Sequence, residues 1–223
     1  ILQYDLQEDY RPHPLGVQED RQWSPVKPAV SLIYMEETFL NGEGFRGILS
    51  SVMKKEKIVL FGDPVLRQVA QPVAVFHKKL HSLVEKLRLT LLHNGDGAAL
   101  AANQIGLLKR ITVIDYMEEY FEMINPEIVD SSGESVDYEG CLSFPGYSGR
   151  VIRAERVTVR FQDRHGKEIC LERSGRMARC IQHELDHLNG ILYVDRLAEP
   201  FVTHDEKETR LPADGVIRMS RGG

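Results

Sequence analysis

Apolar positions change their period along the chain, and each period predicts an element. Phe76, Leu80, Leu83, Val84, Leu87 and Leu91 recur at helical i, i+3, i+4 spacing. This predicts an amphipathic helix that Asn94 and Gly95 terminate. Residues 110–115, RITVID, form a short apolar run of the kind found in buried strands. VTVRFQ at 157–162 alternates with period two, as do Ile169 and Leu171 within KEICLER at 167–173. The DRHG turn between them predicts a hairpin. A second helix should run from Ser174, as N-cap, to Asn189-Gly190, with Met177, Ile181, Leu185 and Leu188 as its buried stripe. Strands and helices do not alternate regularly, so the fold class expected is α+β with antiparallel sheets packed around that helix.

The first stretch reads differently. Residues 1–52 hold Pro12, Pro14, Pro25 and Pro28, scattered acids and the loop-like NGEGFRG at 41–47, without sustained periodicity. The folded core begins near KIVLFGDPVLR at 57–67, just after Met53. We expect 1–52 to be an N-terminal extension, flexible or upstream of a start at Met53, and 53–223 to be the working domain. The tail after residue 200 reads as irregular, with a solvated charged loop at 205–210.

A chain of 223 residues suits one domain, and 42% hydrophobic with 27% charged residues is ordinary globular composition. A net charge of -5 offers no basic field to nucleic acid or an anionic membrane. No stretch approaches the roughly 20 apolar residues that span a bilayer. The opening residues carry acids and no signal-peptide pattern, so a cytoplasmic protein is expected. Cys141, Cys170 and Cys180 are an odd set, which argues against a disulfide framework and leaves thiols for chemistry.

The strongest local signal is His183-Glu184-Leu185-Asp186-His187. Histidines four apart on a helix share one face, about 6 Å apart along the axis, and can reach one ion. The glutamate beside the first can move a proton to and from a water at that ion. A catalytic site usually takes three protein ligands and keeps one position open. A metzincin continuation fails because Tyr193 stands where a third histidine belongs, although Gly190 fits. A thermolysin-like glutamate would have to be Glu199, Glu206 or Glu208, in a polar stretch without helical pattern. Cys180 lies about 10 Å along the helix from His187, too far to share its ion, and reads as a small hydrophobe lining the site. The third ligand must come from another segment, where Cys141 is the best remaining thiol; Cys170 reads as a structural strand residue.

Two further segments accompany this helix. Glu139-Gly140-Cys141-Leu142-Ser143 reads EGCLS, and Gly97 to Gln104 reads GAALAANQ. With Gln182 to His187 they stand in the order found in peptide deformylases, and over roughly residues 57–197 the chain resembles that family. The resemblance implies metal-assisted removal of the formyl group from the N-terminal methionine of new polypeptides, releasing formate. It implies Cys141, His183 and His187 as ligands of one divalent metal, characteristically Fe(II), with Zn, Ni or Co able to take the site. The ligand types alone favour zinc. It further implies Glu184 as proton carrier, and the Gln104 side-chain amide with the Leu142 N–H as oxyanion donors. Substrate would lie along Gly97, Ala98, Ala99 and Leu100, its methionine in a pocket walled by Leu142, Cys180, Ile181 and the 98–100 loop. The expected partners are nascent formyl-Met chains and, transiently, the ribosome, with no membrane and no specific nucleic acid.

Ala99 departs from the family's pattern, which has glycine there. A β-carbon would narrow the groove or strain a positive-φ backbone. Among the other polar residues, Asp186 is expected to support the helix through a salt bridge or hydrogen bond. Glu139 is expected to brace the Cys141 turn, and Arg153 to pair with a carboxylate near the site. His93, His165 and His204 are expected to be solvated. The rival readings are a zinc endopeptidase of the HExxH type and a catalytically silent peptide-binding protein.

Overall fold

The structure, a computed structural model, describes residues 56–95 and 97–221. The expected extension, with its prolines, Trp23 and Met53, lies outside the described residues. Helix α1 spans Lys78–His93 and buries Leu80, Val84, Leu87 and Leu91, the stripe its period predicts. It starts two residues after Phe76 because His77 is the N-cap, its ring accepting from the Leu80 N–H. Phe76 instead packs from outside the helix against the same core.

Among the described residues, nine strands follow in two antiparallel sheets. The first, in the order β1-β2-β3-β6-β7, contains Ala99–Ala101, Ile111–Tyr116, Glu119–Ser132, Arg156–Gln162 and Glu168–Ser174. The second, β4-β5-β8-β9, contains Ser135–Cys141, Phe144–Arg153, Phe201–His204 and Arg210–Pro212. The β6–β7 hairpin closes at Gln162 opposite Glu168. Asp163 makes its turn by accepting from the His165 and Lys167 N–H groups. Cys170 lies on the exposed face of β7, where it packs no core. Strand β3 escapes a periodicity reading because Asn125, at φ 52, and Pro126 interrupt its alternation where the register to β6 shifts.

Helix α2, Gly175–Leu188, is buried on nearly every side, from Met177 to Leu188 with only Gln182 partly exposed. Its apolar side meets Ala98, Ala99, Ile114, Val157, Val159 and Phe161 of the first sheet. Gln182 is fastened to Ala154, donating to its carbonyl and accepting from its N–H. Ser174 is the N-cap by position, but its side chain makes no capping bond. The helix ends as expected at Asn189-Gly190. Gly190 has φ 71, and a β-carbon there would sit 2.4 Å from the Arg67 carbonyl oxygen, so only glycine fits.

The tail corrects its irregular reading. β8 and β9 form a hairpin on β5, and Ala213–Met219 forms a short helix, α3, that buries Val216. The hairpin is short and interrupted by the charged 205–209 turn, so its alternation is too brief to register as a period. His204 is also engaged rather than simply solvated: its ring accepts from the Glu206 N–H and packs edge-on to Tyr147.

Candidate metal centre and active site

α2 presents His183 and His187 on one face, as their spacing requires, and β4 brings Cys141 to them. The register between β4 and β5 shifts between Gly140 and Cys141, a bulge that re-aims the last residue of the strand. Cys141 Sγ lies 3.2 Å from His187 Nε2, which lies 3.2 Å from His183 Nε2. The three donor atoms all lie within 4.8 Å of one another.

The charge around them is arranged behind the histidines. Glu139, fully buried, receives the Arg153 guanidinium, Arg179 Nη1 and His183 Nδ1, the last at 2.8 Å. Burial pushes the Glu139 carboxyl up, and the bonds from His183 and Arg153 outweigh it, holding it well below the usual range. An ionised Glu139 only accepts, so the His183 proton sits on Nδ1 and the Nε2 lone pair faces Cys141 and His187. Arg153 also pairs with Asp186, which in turn pairs with Arg196. Asp186 and Arg153 thus fulfil their expected supporting roles, whereas Glu139 grips the histidine and two arginines rather than only its own turn.

Desolvation sets the protonation of the remaining groups. Burial lowers both histidines, His187 furthest, and pushes the Cys141 thiol up to about 11. A buried thiol and two neutral imidazoles that converge are a donor set that a divalent cation completes, because its charge offsets the thiolate. The Cys/His/His group implies such a metal. Glu184 is fully buried and pushed up to about 8 by burial. Its Oε2 is held by the Thr112 hydroxyl at 3.2 Å, while Oε1 has no partner.

Gln104 sits in the 3-10 turn Ala102–Ile105. Its Oε1 accepts from the Ala101 N–H at 2.9 Å, which turns Nε2 toward Ser143 Oγ at 3.2 Å and Cys141 Sγ at 3.6 Å. Leu142 follows the thiol directly, and its side chain packs over Gly97, where a β-carbon would lie 2.8 Å from Leu142 Cδ1. Ala98, Ala99, Cys180 and Ile181 share one buried apolar cluster. Leu100 and Leu142 instead pack in the neighbouring cluster with α1. Ala99 is buried and carries no positive φ, so its β-carbon does not strain the backbone.

Thr112, Ser143, Arg179 and Asn103 escaped the sequence reading. Asn103 and Ser143 stand inside the GAALAANQ and EGCLS segments without a role read for them, Arg179 is a charge on the buried side of α2, and Thr112 comes from a strand without a motif. A cavity of about 490 Å³ lies behind α2, lined by Arg110, Ile152, Arg153, Leu185, Asp186 and Arg196 among others. It touches none of the three converging donors. No helix among the described residues is long and apolar enough to cross a membrane.

Comparison with known proteins agrees with this geometry. Residues 55–201 match the family described as Polypeptide deformylase. A peptide deformylase of Carboxydothermus hydrogenoformans is 46% identical over 165 residues, covering 74% of this chain and 97% of the relative. The crystal structure of peptide deformylase from Thermotoga maritima superposes with a TM-score of 0.64 at 40% identity, covering 66% of this chain and 99% of that one. A class I type b peptide deformylase from Acinetobacter baumannii, bound to Met-Ala-Ser, gives 0.60 at 32% identity over 65% and 99%. With the family match over residues 55–201 and relatives alike in both sequence and fold, the chain belongs to the peptide deformylase family.

Proposed function

We propose that Cys141, His183 and His187 hold one divalent metal ion, and that Glu184, Gln104 and Leu142 carry out amide hydrolysis around it. As a deformylase the protein removes the N-formyl group from the N-terminal methionine of newly made polypeptides, so its substrates are nascent chains. The observation that carries the site assignment is the convergence of one sulfur and two Nε2 atoms within 4.8 Å of one another, His187 Nε2 lying 3.2 Å from each of the other two.

When bound, the metal supplies Lewis acidity toward the formyl oxygen and the attacking water. Glu184 takes the proton of that water on Oε1, the oxygen without a protein partner, while Thr112 steadies Oε2. A carboxyl raised toward neutrality suits a group that must accept a proton and then return it. Gln104 Nε2 and the Leu142 N–H donate to the oxyanion that develops on the formyl oxygen. The anchored Oε1 of Gln104 means its donor needs no reorientation as charge grows. Glu184 finally delivers its proton to the departing amine nitrogen as the C–N bond breaks, and formate leaves.

β1 is an edge strand of its sheet, which supports an extended substrate adding beside Gly97 to Leu100 through backbone hydrogen bonds. The methionine side chain then enters among Ala98, Ala99, Cys180, Ile181 and Leu142. Ferrous iron is our assignment for the resident metal; zinc, nickel and cobalt suit the same donors. Metal analysis of anaerobically purified protein, with reconstitution by each ion, decides between them. Work on nascent chains goes with a cytoplasmic location and transient ribosome contact. Residues 53–223 are proposed to suffice for activity, since the family match begins at residue 55. Loss of soluble, active protein on deleting 1–52 would overturn that.

The decisive experiment measures formate release from formyl-Met-Ala-Ser by the iron-loaded protein beside a Glu184→Ala variant. Release that vanishes in the variant supports the reading. No release from folded, metal-loaded protein sinks it.

A further inference from the structure

We propose that Asn103 is a positioning residue that clasps the Gln104 turn to the last turn of α2 and so sets His187 against the oxyanion donor. The inference rests on the roles given above to His187 and Gln104.

Asn103 is fully buried and adjoins Gln104 in the turn Ala102–Ile105. Its Nδ2 donates to the His187 carbonyl at 2.6 Å, joining segments 84 residues apart. That carbonyl is among the last four of α2, which lack a donor from a following helical turn. The Asn103 side chain supplies one, beside the Gly190 N–H at 3.1 Å. Two consecutive side chains of one short turn therefore meet the centre from different sides: Asn103 holds the backbone of a histidine, and Gln104 faces the thiol. The turn that carries them is itself buried at all four positions.

A second observation gives this bond its purpose. His183 is oriented through its ring, by Glu139 on Nδ1. His187 Nδ1 is buried and has no partner, so no corresponding grip on that ring exists among the described residues. The orientation of His187 then depends on its backbone, and Asn103 holds that backbone. The Asn103 Oδ1 is also buried without a partner, a feature that weighs against stability and that a leucine of similar volume would avoid. The amide's contribution therefore lies in where it holds His187 rather than in its burial.

The test uses the full-length chain loaded with cobalt(II), comparing Asn103→Leu and Asn103→Ala with the unaltered protein. Leucine removes the donor at similar volume, and alanine removes it without adding bulk. Groups that orient metal ligands typically change metal affinity or activity by about 10- to 100-fold when removed. We expect cobalt loss to a chelator to speed up and kcat on formyl-Met-Ala-Ser to fall by about 10-fold in Asn103→Leu, at little-changed KM. The visible cobalt spectrum should shift, a change that a merely structural role would not produce. A folded Asn103→Leu protein with unaltered spectrum, cobalt-loss rate and kcat overturns the proposal. If that variant does not fold, the same results from Asn103→Ala overturn it. His187→Ala is measured in parallel: retained cobalt binding there brings down the reading of the centre itself, whereas loss there beside unchanged Asn103 variants removes only this inference.

Discussion

His183 Nδ1 donates to Glu139 Oε2 at 2.8 Å, and Glu139 stands two residues before Cys141 on the same strand. One carboxylate thus orients a helix histidine and anchors the strand that delivers the thiol. It does so while compensating Arg153 and Arg179, both nearly fully buried. The second sheet and the central helix are joined at the metal centre itself.

Glu139→Gln should therefore destabilise the protein by on the order of 3–5 kcal/mol, since it leaves buried Arg179 without its carboxylate and Arg153 with Asp186 alone. It should also change the pH dependence. The native carboxyl lies below its unfolded value, so its stabilising contribution is present above about 4.5 and is lost as pH falls through the depressed native value. Urea denaturation from pH 6 downward should show a shallower acid limb in Glu139→Gln than in the unaltered protein. Parallel acid limbs would contradict the assignment.

Gln104→Leu should keep the fold and the metal but lose one donor to the developing oxyanion. Turnover on formyl-Met-Ala-Ser should fall about 100- to 1,000-fold, with metal content unchanged by elemental analysis. A small effect on kcat would mean that the Leu142 N–H and the metal suffice.

Removing the metal should lower thermal stability, because a ligand that binds only the folded state stabilises it. At a free concentration one hundred times Kd the contribution is about 2.7 kcal/mol. For a protein of this size that corresponds to a fall of about 5–10 °C in Tm. Calorimetry before chelation, after it and after adding metal back measures this. An unchanged Tm in verified metal-free protein would argue against a resident ion at Cys141, His183 and His187.

Gly190→Ala tests the C-terminal stop of α2, just beyond His187. A side chain there meets both a φ of 71 and the Arg67 backbone at 2.4 Å. The expected loss is about 2 kcal/mol or more, read as a fall in Tm of about 5 °C or more. A neutral result would mean that the Arg67 segment moves aside freely.

The histidine helix, the β6–β7 hairpin and α1 were legible in the sequence because each is a local pattern. A period of 3.6 or two, a cap and a stop lie within about twenty consecutive residues. The spacing of His183 and His187 dictates a shared helical face, and from there the need for a third ligand follows from coordination chemistry alone. Elimination left Cys141 as the best remaining thiol, and resemblance then supplied Gln104 and the reaction. The β8–β9 hairpin and the long β3 were not legible. One is too short to show a period, and the other is broken by Asn125 and Pro126 at a bulge.

What the sequence determined by itself was therefore the chemistry offered at each position and the elements whose signal is local. Only the tertiary structure decided how those groups are held. The Glu139 link to His183, the Asn103 bond to His187 and the Thr112 contact with Glu184 join residues 44, 84 and 72 positions apart. No local period carries such pairings, because they exist only once the sheets and the central helix have excluded water and brought distant polar groups within bonding distance.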